Sequence, residues 1–177
     1  MTYQTEKQLV RDYFAKMAAA TADTVGDVLD EYIADDYQFY GVYPYNEQQS
    51  ASDVASVVWQ PLYQAFTGLQ RREDVFMAGT SEIDGDNWVM SMGHFMGLHD
   101  GEWMGIRGHR KMAMIRYAEF NCVENGKITK TGLWIDIIGV MHQHGINPLP
   151  PQTAASFVYP GPQTHDGLQF GDHDPAE

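Results

Sequence analysis

The run Ile115–Met141, IRYAEFNCVENGKITKTGLWIDIIGVM, constrains the fold more than any other stretch of the chain. Asn125-Gly126 stands at its centre between two β-compatible runs, and two consecutive residues that tolerate positive φ are what a two-residue type I′ hairpin turn requires. A turn that tight pairs Glu124 with Lys127 and sets the register behind it. Val123 then opposes Ile128, Asn121 opposes Lys130, Glu119 opposes Gly132, Tyr117 opposes Trp134, and Ile115 opposes Asp136. Side chains alternate along a strand, so these share one face, while Arg116, Ala118, Phe120, Leu133 and Ile135 share the other. The first face mixes large apolar groups with carboxylates, which suits a pocket wall better than a plain core.

Helical spacing dominates the chain before this hairpin. Thr5 to about Ala20 reads as a helix, with Thr5-x-x-Gln8 as a capping box and Leu9, Tyr13, Phe14 and Met17 as its apolar stripe. A second helix starts near Thr24 and turns Val28, Leu29, Tyr32 and Ile33 inward. FYGVYPYNEQQS follows as a connection, its Tyr40, Tyr43 and Tyr45 forming either an aromatic loop over the core or a lid over a ligand cavity. A third helix runs from Ser52 to Trp59-Gln60, breaks or kinks at Pro61, and continues through Leu62, Tyr63 and Phe66 to Gly68.

Strands then take over: Leu69 to Ile83, Trp88 to His99, one entering the hairpin from His109 or Arg110, and Lys127 to Asp136. Ile137 to His144 is a short terminal helix stopped by Gly145. Helices followed by an antiparallel meander predict an α+β fold, a cone-shaped curved sheet packed against about three N-terminal helices. Residues 1–147 form the domain, and 148–177 a Pro-rich, acidic extension dispensable for folding.

At 177 residues the chain suits one domain, and its net charge of −13 argues against nucleic acid and anionic membranes as partners. No apolar run reaches the ~20 residues that span a bilayer, and MTYQTEKQLVRDYF lacks the pattern of a signal peptide. Cys122 is the lone cysteine, which fits a reducing cytoplasmic location. The histidines predict no metal: His142 and His144 are spaced i,i+2 on a helix, and His94 and His99 differ by five along a strand.

Two longer patterns carry a resemblance. GLHDGEWMG (Gly97 to Gly105) and ENGKI (Glu124 to Ile128) resemble the G-x-H-x-G-x-[FW]-x-G stretch and the E-D-G-K-I turn of SnoaL-like polyketide cyclases, also called ester cyclases, and Asp136 stands where these proteins place an aspartate before a terminal helix. The resemblance spans roughly residues 5 to 147. It implies the nuclear transport factor 2-like fold, a homodimer packed through the sheets, and a pocket without metal or cofactor. In the cyclases the matching aspartate is the acid and base of an intramolecular aldol closure.

Burial among Trp134, Tyr117 and Ile115 would raise the Asp136 pKa toward that role, whereas capping the terminal helix is the competing use of the same residue. The sequence departs from the cyclases in having Glu119 and Asn121 where a histidine-containing pair is expected, and Gly132 where a tryptophan is common. The expected catalytic set is Asp136, with Glu119 or His99 as second group. Trp134, Tyr117, Asn121, Trp59, Tyr63, Phe66 and His94 would hold a small hydrophobic or aromatic ligand. The competing function is a non-catalytic pocket for such a ligand, or a dimerisation module.

Overall fold

A computed structural model describes residues 3–151, 164 and 167–171. Helix α1 (Gln4–Ala19) buries Val10, Tyr13, Phe14 and Met17 at helical spacing, and α2 (Val25–Tyr32) buries Val25 and Leu29. The expected capping box is absent: α1 begins at Gln4, so Thr5 lies inside the first turn and Tyr3 precedes it without a side-chain cap. The third helical segment is continuous but changes pitch. It begins at α3 (Ala51–Val54), whose cap is Ser50 rather than Ser52, the Asp53 amide donating to its hydroxyl at 3.0 Å. It widens into a π-helical stretch, Ala55–Trp59, and ends as α4 (Gln60–Ala65). Pro61 sits in the first turn of α4, where its missing N–H is no loss, and the π turn absorbs the break expected there.

The sheet is built from β1 (Ile33–Gly41), β2 (Glu47–Gln48), β3 (Phe66–Thr80), β4 (Asn87–His99), β7 (Lys111–Glu124) and β8 (Lys127–Ile135), and β5 (Glu102–Trp103) and β6 (Ile106–Arg107) form a small separate hairpin. Strand order in the main sheet is β2-β1-β8-β7-β4-β3. It is a mixed, open sheet rather than a closed barrel, with β1 lying parallel to β8. Residues 33–41, read from sequence as helix end and connection, are thus a full strand, and the sheet is more than a four-stranded meander.

One face of the sheet packs on the helices. Ile115, Tyr117, Leu133 and Phe95 bury there against Phe14, Val58, Trp59 and Leu62, each fully buried aliphatic contributing ~1.5–3 kcal/mol. α5 (Ile137–Gln143) packs near β7, and Gly145 follows it at φ 74°. The segment 167–171 docks beside β3: Leu168 bridges Phe76, and the buried Lys7 ammonium donates to the Gln169 and Gly171 carbonyls at 2.8 and 2.7 Å. The remainder of the extension lies outside the described residues.

The hairpin departs from the expected register. Glu124–Lys127 and Val123–Ile128 pair as expected, but Cys122 then opposes Lys130, so Thr129 is an extra residue on β8. From that bulge on, every side chain of β8 changes face. Thr131, Leu133 and Ile135 join Asn121, Glu119 and Tyr117 on the inner face, while Gly132 and Trp134 join Phe120 and Ala118 outside.

Candidate functional site

The inner face carries charge as well as apolar bulk. β3 contributes Arg71 and Glu73, paired across from Phe95 and Gly93 of β4. A second bulge at Asp74 brings β3 so close that a Cβ on Gly93 would clash with the Arg72 carbonyl oxygen, which explains the glycine. Arg71 reaches Glu119 on β7, its Nη2 donating to Oε2 at 2.7 Å, with 8% of the arginine side chain and none of the glutamate exposed.

Polar partners extend from this pair in both directions. Asn121 donates to Glu119 at 3.0 Å and accepts from the Thr131 hydroxyl at 2.8 Å. On the other side, the Ser91 hydroxyl lies 2.8 Å from the Tyr117 hydroxyl and donates to Glu73 at 3.0 Å.

The electrostatics follow from burial and pairing. Burial opposes the Arg71 charge, but the adjacent Glu119 carboxylate outweighs it and keeps the guanidinium firmly protonated. Burial raises the Glu73 carboxyl above its ordinary value, with the Ser91 hydrogen bond pulling the other way. Burial likewise raises Tyr117, and it pushes the Tyr63 hydroxyl up to about 12.

Aromatic rings enclose the guanidinium, its carbon lying 3.7 Å from the Phe14 ring centre, 4.7 Å from Tyr117 and 4.8 Å from Phe95. One donor, Nη1, is buried with no hydrogen-bond partner among the described residues. Arg71 also lines a narrow cavity of about 20 Å³ with Phe14, Met17, Trp59, Tyr63 and Phe95, room for about one water.

Of the residues singled out from sequence, Glu119, Tyr117, Asn121, Trp59 and Tyr63 converge on this region. Trp134 does not: the Thr129 bulge turns it outward, half exposed and edge-on to Phe120. Asp136 is also displaced from the aromatic burial expected of it. It is exposed and caps α5, its Oδ1 accepting from the Gly139 amide at 2.7 Å. His94 stands on the outer face, Nδ1 3.2 Å from Asp74. There it and Asp136 line an open groove of about 680 Å³ beneath α5, with Arg72, Met114, Arg116 and His142.

His99, expected as the alternative to Glu119 as second group beside Asp136, lies far from Glu119. Glu119 pairs with Ser91, and His99 is eight residues further along β4 (99 − 91), ~26 Å at ~3.3 Å per residue. His99 stacks instead on Phe66 at 4.3 Å, which removes Phe66 from the ligand wall as well. Burial and the neighbouring His144 and His109 lower the His99 pKa to about 4. The corner after His99 explains its glycine. Asp100 and Gly101 amides both donate to the Ala65 carbonyl, and a Cβ on Gly101 would lie 2.8 Å from Ala65 Cα.

Arg71, Glu73 and Ser91 escaped the sequence reading. The signal was present in Arg71-Arg72-Glu73-Asp74, four charges within a strand, of which alternation sends every second one inward.

The profile of the SnoaL family, described as SnoaL-like polyketide cyclase, matches residues 11–144. No curated protein matches the chain. Among solved structures, a proposed SnoaL-like polyketide cyclase from Jannaschia sp. CCS1 aligns over 85% of this chain and 96% of its own, with a TM-score of 0.61 and 16% identity. AclR, a proposed hydroxylase from Streptomyces galilaeus, aligns over 80% and 84% with a TM-score of 0.59 and 21% identity. IdmH, a proposed polyketide cyclase from Streptomyces antibioticus, aligns over 75% and 99% with a TM-score of 0.57 and 15% identity. At these identities the likeness is one of fold.

Proposed function

We propose, from the premise that this chain belongs to the SnoaL-like polyketide cyclase family, that it is an acid–base enzyme acting on a bulky apolar or aromatic carbonyl compound. The observation that carries the proposal is the buried Arg71 Nη1, unpartnered among the described residues, beside an aromatic cavity. A buried donor without an acceptor suits a substrate oxygen, and a fixed cation there stabilises the negative charge that an enolate develops.

In the proposed step Glu119 takes a proton from the carbon next to the carbonyl. The C–H electron pair becomes a C=C bond to the carbonyl carbon as the C=O π pair moves onto the oxygen, giving an enolate held by Arg71. The enolate carbon then attacks a second carbonyl, forming the ring bond, and the new alkoxide recovers the proton from Glu119. These residues supply the whole step without a cofactor. Trp59 and Tyr63 line the cavity, and a ring system requires them to give way, since about 20 Å³ admits none as it stands.

Exchange in D2O tests the step without knowledge of the natural substrate. With α-tetralone as probe, the protein should accelerate deuterium entry at the carbon beside the carbonyl. Glu119→Gln, checked for folding by circular dichroism, should reduce this by ~10²-fold or more. No acceleration by wild type across a panel of aromatic ketones overturns the catalytic reading. The specific observation on the other side is that both Glu119 oxygens already accept hydrogen bonds. Ketone binding that quenches Trp59 fluorescence without exchange would establish the non-catalytic pocket instead.

A homodimer through the outer sheet face accompanies this function. Met112, Met114 and Trp134 are 61%, 43% and 51% exposed there, and Met90, Met92 and Met96 lie on the same face. Such a patch is large for a surface left to water. Leu133 is fully buried on the inner face, so Trp134 rather than Leu133 stands in that interface. Light scattering should return twice the 20.0 kDa chain mass, and a monomer at micromolar concentration would refute the dimer.

A further inference from the structure

Three elements end together on the other side of Phe66. His99 closes β4, His109 lies in the loop just before β7, and His144 follows the last turn of α5. One ring nitrogen from each lies within 4.8 Å of those of the other two. We infer that His99, His109 and His144 form a binding site for a divalent transition cation of the zinc type. This inference is independent of the chemistry proposed around Arg71.

Hydrogen bonding orients the first ligand. His144 Nδ1 lies 2.7 Å from the Val140 carbonyl oxygen. A carbonyl can only accept, so the proton is on Nδ1 and Nε2 presents its lone pair. A backbone carbonyl behind the ligating ring is the support that metal-binding histidines ordinarily have. That Nε2 is 2.8 Å from His99 Nδ1, which therefore donates to it and leaves His99 Nε2 without a proton. His99 Nε2 and His109 Nδ1 are both buried and have no hydrogen-bond partner among the described residues. With the His144 Nδ1 proton committed to the Val140 carbonyl, two N–H protons remain within the cluster for its three nitrogen lone pairs.

Ring packing fixes the arrangement. His99 lies stacked on Phe66, and His109 stacks on His144 with ring centres 3.9 Å apart. Zinc binds imidazole nitrogen at ~2.0–2.1 Å, which in tetrahedral geometry separates the nitrogens by ~3.4 Å. Coordination therefore requires the 2.8 Å His99–His144 spacing to lengthen and the half-buried His109 ring to turn inward, its Nδ1 having no hydrogen bond among the described residues to give up. Each neutral imidazole keeps one lone pair in either tautomer, so coordination needs proton relocation within a ring and no proton loss. Three nitrogen ligands leave a fourth position for water or an anion, and the half-buried His109 and His144 leave it within reach of solvent.

The experiment is calorimetric titration of the untagged, EDTA-treated full chain with Zn²⁺. One equivalent should bind and raise the melting temperature. His109→Ala, a loop position, should weaken binding by on the order of 100-fold, since changes merely behind a ligand already weaken it ~10–100-fold. His94→Ala, His142→Ala and the double variant His165→Ala/His173→Ala should bind as wild type does. X-ray absorption of the zinc-loaded wild-type chain gives a second measurement should the variant fold poorly, and should report three imidazoles. No zinc binding, equal binding by His109→Ala, or a carboxylate-dominated first shell would each overturn the site.

Discussion

Around Arg71 and around His99 the protein buries polar side chains against the same sheet, and the two groups are left open in opposite senses. The Arg71 group is built across strand partners: Glu119 pairs with Leu133 and Ser91, and Asn121 with Thr131. Its charges balance, and what remains unmet is a donor, Arg71 Nη1. The His99 group is built from the ends of three elements, and its free His99 Nε2 is an acceptor. An unmet donor selects an oxygen, whereas unmet lone pairs select a proton or a metal ion. The same core therefore offers two complementary kinds of vacancy, one held by the sheet ladder and one by loops.

Breaking the charge balance gives the largest expected effect. Arg71→Met strands Glu119 and should destabilise the fold by ~3–5 kcal/mol in urea denaturation, while Arg71→Met/Glu119→Leu should recover most of that loss. A small effect of the single variant would mean that water reaches Glu119 and the group is less closed than drawn. The histidine group carries no such charge. In the absence of metal, His144→Ala should cost about 1–3 kcal/mol, from its bonds to Val140 and His99. A loss as large as that of Arg71→Met would erase the contrast.

Asp136 acts on only one of the two groups. It caps the helix that carries His144, so Asp136→Ala should cost about 1 kcal/mol and weaken zinc binding, leaving ketone exchange unchanged. Asp136→Asn, an equally good cap, should change none of these. Loss of exchange in Asp136→Asn would restore it as the base and refute the assignment to Glu119.

The smallest effect is a pH dependence. Glu73 titrates above its ordinary 4.5 because it is buried. Just above that pH the folded chain keeps a proton that the unfolded chain has released. The associated stability is complete below 4.5 and lost as pH rises through the folded value. Glu73→Gln should therefore lose less melting temperature than wild type between that pH and neutrality.

Much of this was legible in the sequence. Asn125-Gly126 located the turn and its first two pairs, because φ > 0 at two adjacent positions has few other uses. The bulge was harder, since Thr129 is no glycine. It could have been inferred from parity: Ile128 lies five and seven residues from Leu133 and Ile135, and all three reach the core only if one residue is extra. That single residue decided whether Trp134 and Asp136 faced ligand or solvent. The histidine cluster was hidden for another reason. Spacing along one element cannot show it, since His144 reaches His99 at the end of β4 only because α5 packs on β7.

The parallel pairing of β1 with β8 has a consequence for how the chain is made. β8 sits between β1 and β7, and the two partners Ile33 and Ile128 are separated by 95 residues (128 − 33). A ribosome adding ~5–20 residues per second completes that interval in roughly 5–20 s. For that time α1, α2 and β1 exist without the strand that covers β1's hydrogen-bonding edge. The hairpin around Asn125 forms in ~1–10 μs once synthesised, so its two strands arrive as a unit. A late local event in synthesis is then the one that joins β1 to the rest of the sheet, and a nascent chain stalled before Lys127 should remain open to proteases within β1.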